Sequence, residues 1–287
     1  MKKTFLTMIA LCLAMTSQAQ EETIVDAYFT IGEMPDMMKF LPAPPDSTSA
    51  AFLNDVSRYY WGKEMRKDEE RAAQAMRDAV YGLATIITEF EEAFGMKISQ
   101  EGTPEIYKVL LEGTATCDSI CVLPKRAYMR RRPFMVFNEQ TLTPDDEDML
   151  RGNGSYPSGH TLLGWSAALL MTEINPDRAN EILARGYRYG ENRLVVGAHW
   201  QSDTDAARLA ASAAYARLHT SERFLEQMRK AREEFQRLKG DTTAVSQTRV
   251  VQMRTADSRS YTLQGTPASS ITRGIVVRQG KKVIPNN

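Results

Sequence analysis

The chain has 287 residues, 43% of them hydrophobic, which suits one large domain or a domain with an appendage. Its 36 lysines and arginines are balanced by 36 aspartates and glutamates. That balance lacks the basic surplus of a nucleic-acid binder, so no nucleic-acid partner is expected, although a local basic pocket for a small anion remains compatible with it.

Residues 1–19 read as a secretory signal: Lys2 and Lys3, then the apolar run from Phe5 to Met15, then Ser17-Gln18-Ala19 before the cut. That run is shorter than the ~20 residues a membrane span needs. The longest later apolar run, Leu162 to Met171, is about half the required length, so no stable membrane insertion is expected. The mature chain would keep Cys117 and Cys121. Export permits a disulfide, but a spacing of four on a regular helix is poor geometry for one. The question stays open, and too few further ligands lie nearby for a metal site.

Leu41-Pro42-Ala43-Pro44-Pro45-Asp46 cannot be helical. Helical patterning starts at Ser49. Ala72, Met76, Ala79, Val80, Leu83, Ile87, Phe90 and Phe94 form one stripe of helical period between Glu70 and Phe94. Further helices are predicted from Pro104 to Leu111, over a segment ending at Arg132 before Pro133, from Thr161 to Ile174, and onward from Pro176. Two more fit Ser202 to Leu218 and Ser221 to Leu238. No strand pattern appears before about residue 248, so residues 20–240 read as an all-α domain. At Gly240 the composition shifts. Asp241 to Thr248 is linker-like, and short β-prone runs follow at Arg249 to Met253, Tyr261 to Leu263 and Ile275 to Val277. Residues 241–287 are therefore expected to be a linker and a small β-prone C-terminal tail.

Three segments carry chemistry. In Lys125-Arg126-Ala127-Tyr128-Met129-Arg130-Arg131-Arg132-Pro133, a helix would place Lys125 and Arg132 on one face, two turns apart, where an ammonium and a forked guanidinium can grip a phosphate. In Gly154-Ser155-Tyr156-Pro157-Ser158-Gly159-His160-Thr161, small residues free backbone N–H groups to face an anion at a helix start, with His160 beside it. In Arg193-Leu194-Val195-Val196-Gly197-Ala198-His199-Trp200-Gln201-Ser202-Asp203, a helix would let His199 and Asp203 meet. A carboxylate on one imidazole nitrogen leaves the other as a lone-pair donor.

In order, these segments match Lys-x6-Arg-Pro, Pro-Ser-Gly-His and Arg-x5-His-x3-Asp, and the chain resembles the type 2 phosphatidic acid phosphatase and vanadium haloperoxidase superfamily. More narrowly it resembles the bacterial class A nonspecific acid phosphatases, through Gly154 to Thr161, Leu41-Pro42-Ala43-Pro44-Pro45, Phe52-Leu53-Asn54-Asp55 and His199 to Asp203. The resemblance covers roughly Leu41 to Gly240 and implies a compact helical bundle of that type. It departs at Asn192, where the family usually has serine, which implies a tuned site.

By that resemblance, Lys125, Arg132 and Arg193 bind phosphate, with the backbone N–H groups of Ser158 and Gly159 and the Ser158 hydroxyl completing the cradle. His199 attacks phosphorus, Asp203 orients it, and His160 protonates the leaving oxygen and then activates water. The implied activity is hydrolysis of small-molecule phosphate monoesters with broad specificity, through a phosphohistidine and with no metal or other cofactor. The implied location is the periplasm, with the cell surface or medium and a homodimer left open. The rival readings are a vanadate-dependent haloperoxidase, a lipid phosphate phosphatase, and a phosphate-binding protein without catalysis. Within the tail, Ser260 to Gly265, Arg273 to Val277 and Gly280 to Val283 look like a C-terminal sorting module of type IX-secreted proteins.

Overall fold

The computed structural model describes residues 25–255 and the short segments 260–262, 276–278 and 281–283, with side chains through residue 240. The signal reading of residues 1–19 lies outside the described residues.

Each helix begins or ends where its own residues dictate. The short α1, Met37–Phe40, is capped by the Asp36 carboxylate, and α2, Ala50–Met65, by the Ser49 hydroxyl. Asp68 caps α3, Glu69–Arg77. α4, Leu83–Phe94, follows Gly82, whose φ of 134° lies where a side chain is strained. The single stripe expected between Glu70 and Phe94 is therefore two helices broken at Gly82. The apolar period survives the break although the two pieces bury into different clusters, Ala75 and Ala79 in one and Ile86, Ile87, Phe90 and Phe94 in the other. α5, Pro104–Asp118, opens on proline in its first turn and runs past the expected end at Leu111. Its second half is held by burial of Glu112, Gly113, Thr114, Thr116 and Cys117.

α6, Val122–Tyr128, stops at Met129, which adopts a left-handed conformation with φ of 39°; α7, Pro133–Phe137, starts afresh on its proline. Lys125 and Arg132 thus do not share a helix face, which corrects the sequence reading. α8 is Glu147–Arg151, α9 Gly159–Ile174, α10 Ala179–Val196, α11 Gln201–Leu218 and α12 Glu222–Thr255.

α9 is the central pillar. Leu162, Ala167, Ala168, Leu170 and Met171 on it have no exposure, and it packs against α10, α11, α5 and α4. A helix apolar on every side is stable only when enclosed like this. α12 lays Phe224, Met228, Ala231 and Phe235 against α5 and α9. The helix continues to Thr255 through the expected linker from Asp241 to Thr248 and the β-prone run from Arg249 to Met253, which corrects both. Gly240 costs a helix only ~1 kcal/mol, and no proline follows before Thr255 to stop it. Beyond it, Ser260–Thr262, Val276–Arg278 and Lys281–Val283 form an antiparallel three-stranded sheet, close to two of the expected runs. Most of the segment likened to a sorting module lies outside the described residues. The domain through residue 240 is all-α.

Cys117 and Cys121 are free thiols, each pushed up to about 12 by burial. Among the described residues no helix is long and apolar enough to cross a membrane.

Candidate active site

The site forms where the N-termini of α9 and α11 meet the C-terminal ends of α6 and α10. Ser158 caps α9: its hydroxyl oxygen accepts from the Thr161 amide at 3.3 Å and the Thr161 hydroxyl at 2.9 Å. Its own amide donates to the Asp203 main-chain oxygen at 3.1 Å. The Ser158 N–H is therefore engaged, which corrects the expectation that it faces the anion; its hydroxyl hydrogen remains to donate. Gly159 and His160 occupy the first turn, where an α-helix supplies no acceptor for the amides and its dipole favours negative charge.

Three cations close around this helix end. Lys125, in the last turn of α6, donates from Nζ to the Gly154 oxygen at 2.9 Å. Arg132 is 1% exposed and anchored by carbonyl oxygens of Leu150 at 2.9 Å, Asn153 at 3.1 Å and Ala198 at 3.1 Å. Arg193, in the last turn of α10, is equally buried, yet its Nε and Nη1 have no hydrogen-bond partner. Leaving a guanidinium's donors unpaired inside a protein is costly unless an anion meets them. Burial pushes Lys125 down to about 8, and Arg132 and Arg193 down to about 10.

His199 lies between α10 and α11, and Asp203 in the first turn of α11. They meet across a helix start rather than along one helix face as the sequence suggested, with Nδ1 3.3 Å from Asp203 Oδ2. The partners fix the tautomer. Arg132 Nη1 sits 2.9 Å from His199 Nε2, and a guanidinium only donates, so Nε2 carries the lone pair and Nδ1 the proton. His160 is set the opposite way: its Nε2 lies 2.9 Å from the Ala79 carbonyl oxygen, which only accepts, leaving Nδ1 as the free nitrogen. Both imidazoles are held well below the usual range, by burial first and then by the neighbouring cations.

Four residues that the sequence reading passed over complete the arrangement. Arg130 bridges two fully buried carboxylates, donating to Asp203 at 2.5 Å and to Asp55 of α2 at 2.7 Å. Ser155 donates to Asp203 Oδ2 at 2.5 Å, and Ser202 donates to Asp55 at 2.6 Å. Arg130 sits in a basic run that reads as a solvated face. Its partner Asp55 is 75 residues away, so no local signal finds the pair. Asn192 points elsewhere, donating to Asp78 at 2.6 Å alongside the two-pronged Arg185–Asp78 pair. It thereby ties α10 to the end of α3.

Lys125, Arg132, Gly159, His160 and His199 line a cavity of about 410 Å³; an adjoining hollow of about 240 Å³ takes in Arg193 and also His160. The ensemble can hold a tetrahedral oxyanion between three cations and a helix start, with one imidazole lone pair aimed at it and a second imidazole at its edge. No cluster of three or more metal-ligating side chains occurs among the described residues.

Comparison with known proteins agrees with this geometry. The PAP2 superfamily model matches residues 107–223. A non-specific acid phosphatase of Providencia stuartii is 43% identical over 205 residues, covering 71% of this chain and 82% of the relative. One of Salmonella typhimurium is 40% identical over 197 residues, 68% of this chain and 78% of the relative. An acid phosphatase of Zymomonas mobilis is 34% identical over 202 residues, 70% and 76% of the two chains. With identity of this order over most of both chains, on a helical fold with the cation cluster in place, the chain belongs to the nonspecific acid phosphatases of the PAP2 superfamily.

Proposed function

We propose that the protein is an acid phosphatase that hydrolyses phosphate monoesters through a phosphohistidine on His199 Nε2. The observation that carries this reading is the tautomer of His199: its lone pair lies at Nε2, on the side where Arg132 and Lys125 gather an anion. Lys125, Arg132 and Arg193 hold the phosphoryl oxygens and stabilise the charge that builds on them, with the Gly159 amide and the Ser158 hydroxyl. Nε2 attacks phosphorus as the ester oxygen departs. Asp203 receives the Nδ1 proton in a hydrogen bond and stabilises the imidazolium that forms. His160 Nδ1 delivers a proton to the departing oxygen and then takes one from the water that breaks the P–N bond.

The low setting of His160 supports an acid optimum. Cations that repel a proton in the free protein are neutralised by the bound ester, and a monoanionic ester, which prevails below pH ~6, brings both charge and proton. Activity is expected to fall as pH rises through neutrality. The reading of residues 1–19 supports export to the periplasm, which cell fractionation tests.

The test is His199→Ala. The variant should keep its helical circular dichroism and lose p-nitrophenyl phosphate turnover, while the unaltered protein traps labelled phosphate on histidine in an alkaline quench. Near-normal turnover by the variant sinks the mechanism, as does activity lost in EDTA and restored by a divalent metal.

A further inference from the structure

Away from Lys125 and Arg132 the walls of the site change character. The hollow of about 240 Å³ has His160, Arg193, Thr143 and Asp146 as its polar lining, and Met76, Val80, Tyr81 and Met149 as its large apolar one. These four side chains are large and apolar, yet 42%, 62%, 50% and 61% exposed. Scattered exposed apolar residues need no explanation, but four of them around one opening form a collar. Tyr81 is its fixed point. Its hydroxyl donates to the Asp118 carboxylate at 2.5 Å, and its ring stands edge-on to His160 with centroids 4.8 Å apart. A methyl placed on Gly159 would lie 3.7 Å from the Tyr81 hydroxyl and 3.8 Å from Lys125 Cε, so the ring overhangs the start of α9.

In-line displacement dictates which way the alcohol leaves. The nucleophile and the departing oxygen lie on opposite sides of phosphorus. His160, Tyr81 and Met149 line both cavities, but only the larger one contains His199; the hollow lies away from the nucleophile and still holds His160, whose free Nδ1 must reach the departing oxygen. The side opposite the nucleophile is thus the collared side.

We propose, resting on the phosphatase reading above, that this hollow is the alcohol subsite and that its collar selects esters of apolar alcohols, short alkyl or single-ring aryl, over polyols of similar size. Tyr81 supplies the flat wall, with Val80 and Met149 at the rim. The volume lies below the ~300 Å³ at which sites for drug-sized ligands begin, which fits one ring or a short chain.

A homologous series of n-alkyl phosphates from ethyl to hexyl tests this, because the basicity of the departing alcohol is nearly constant along it. For the full-length protein kcat/KM should rise about twofold to fourfold per methylene until the hollow is full. In Val80→Ser and Met149→Ser the hexyl-to-ethyl ratio should collapse toward one. The readout is a ratio within each protein, so a general loss of rate does not imitate it. A series flat in the unaltered protein, or a ratio unchanged in both variants, overturns the subsite. If neither p-nitrophenyl phosphate nor ethyl phosphate releases phosphate at all, the phosphatase reading itself has failed, a separate outcome.

Discussion

Lys125→Arg should abolish an alkaline weakening of phosphate binding that the unaltered protein shows. Burial, and then the Arg132 charge, push the Lys125 ammonium down to about 8, so in the free protein it is charged below that pH and neutral above it. A phosphate dianion against Nζ favours the charged form and raises the value again. Between the two values, binding takes up a proton, and affinity falls by about tenfold per pH unit. The ceiling follows from Coulomb's law: one charge pair at about 4 Å and an effective dielectric constant of about 20 is worth ~4 kcal/mol, or roughly three decades. Arginine keeps its charge throughout this range. Calorimetric titration with inorganic phosphate, dianionic across about pH 8 to 9.5, reads the effect as a ratio of dissociation constants between the two proteins. That ratio should grow by about fivefold over the first unit above pH 8, and more steeply beyond it. Any proton taken up by His160 is common to both proteins and cancels. A ratio constant across the window would refute the reasoning, whatever the absolute affinity of the arginine variant.

Two further outcomes follow from the site's surroundings. Arg130→Met strands Asp55 and Asp203 as buried charges and should cost about 3–5 kcal/mol in denaturant unfolding, with part regained in Arg130→Met/Asp55→Asn; a double variant no more stable than the single one would contradict the bridge. Gly62→Ala would bring a methyl to 2.4 Å from the Leu194 carbonyl oxygen, forcing α2 off α10. The cost is roughly 1–3 kcal/mol, visible as a Tm lower by several degrees; a Tm within about one degree would show that the helices yield freely.

The sequence picks out residues that the fold gathers at one place, but not the scaffolding under them. Lys125, Arg132, His160, Arg193, His199 and Asp203 were readable because their spacings fall on turn residues and helix starts, where local rules apply. The geometry assumed for them was wrong twice. Met129 takes a left-handed conformation that ends α6, so Arg132 reaches the site from an extended segment. His199 precedes its helix rather than riding on it. The break at Gly82 is hidden by an apolar period that runs on across it, although the two pieces bury into separate clusters. Arg130, Asp55 and Ser155 act through partners 44 to 75 residues away, which periodicity and spacing cannot register. The helix through Asp241 to Thr248 shows the reverse case: its polar composition reads as a linker, though nothing in it stops a helix already under way.

Asp203 serves the site with both of its ends. Its carboxylate faces His199 Nδ1, while its main-chain oxygen holds the amide of Ser158, the residue that starts the anion-facing helix. Nucleophile and receptor are thus referenced to one datum, and the separation between them is spanned by the covalent skeleton of a single residue plus one hydrogen bond on either side. When α9 and α11 shift against each other in thermal motion, both halves of the reaction are carried along. In the proposed mechanism, the distance over which the P–N bond forms is thereby insulated from movements that the rest of the bundle is free to make.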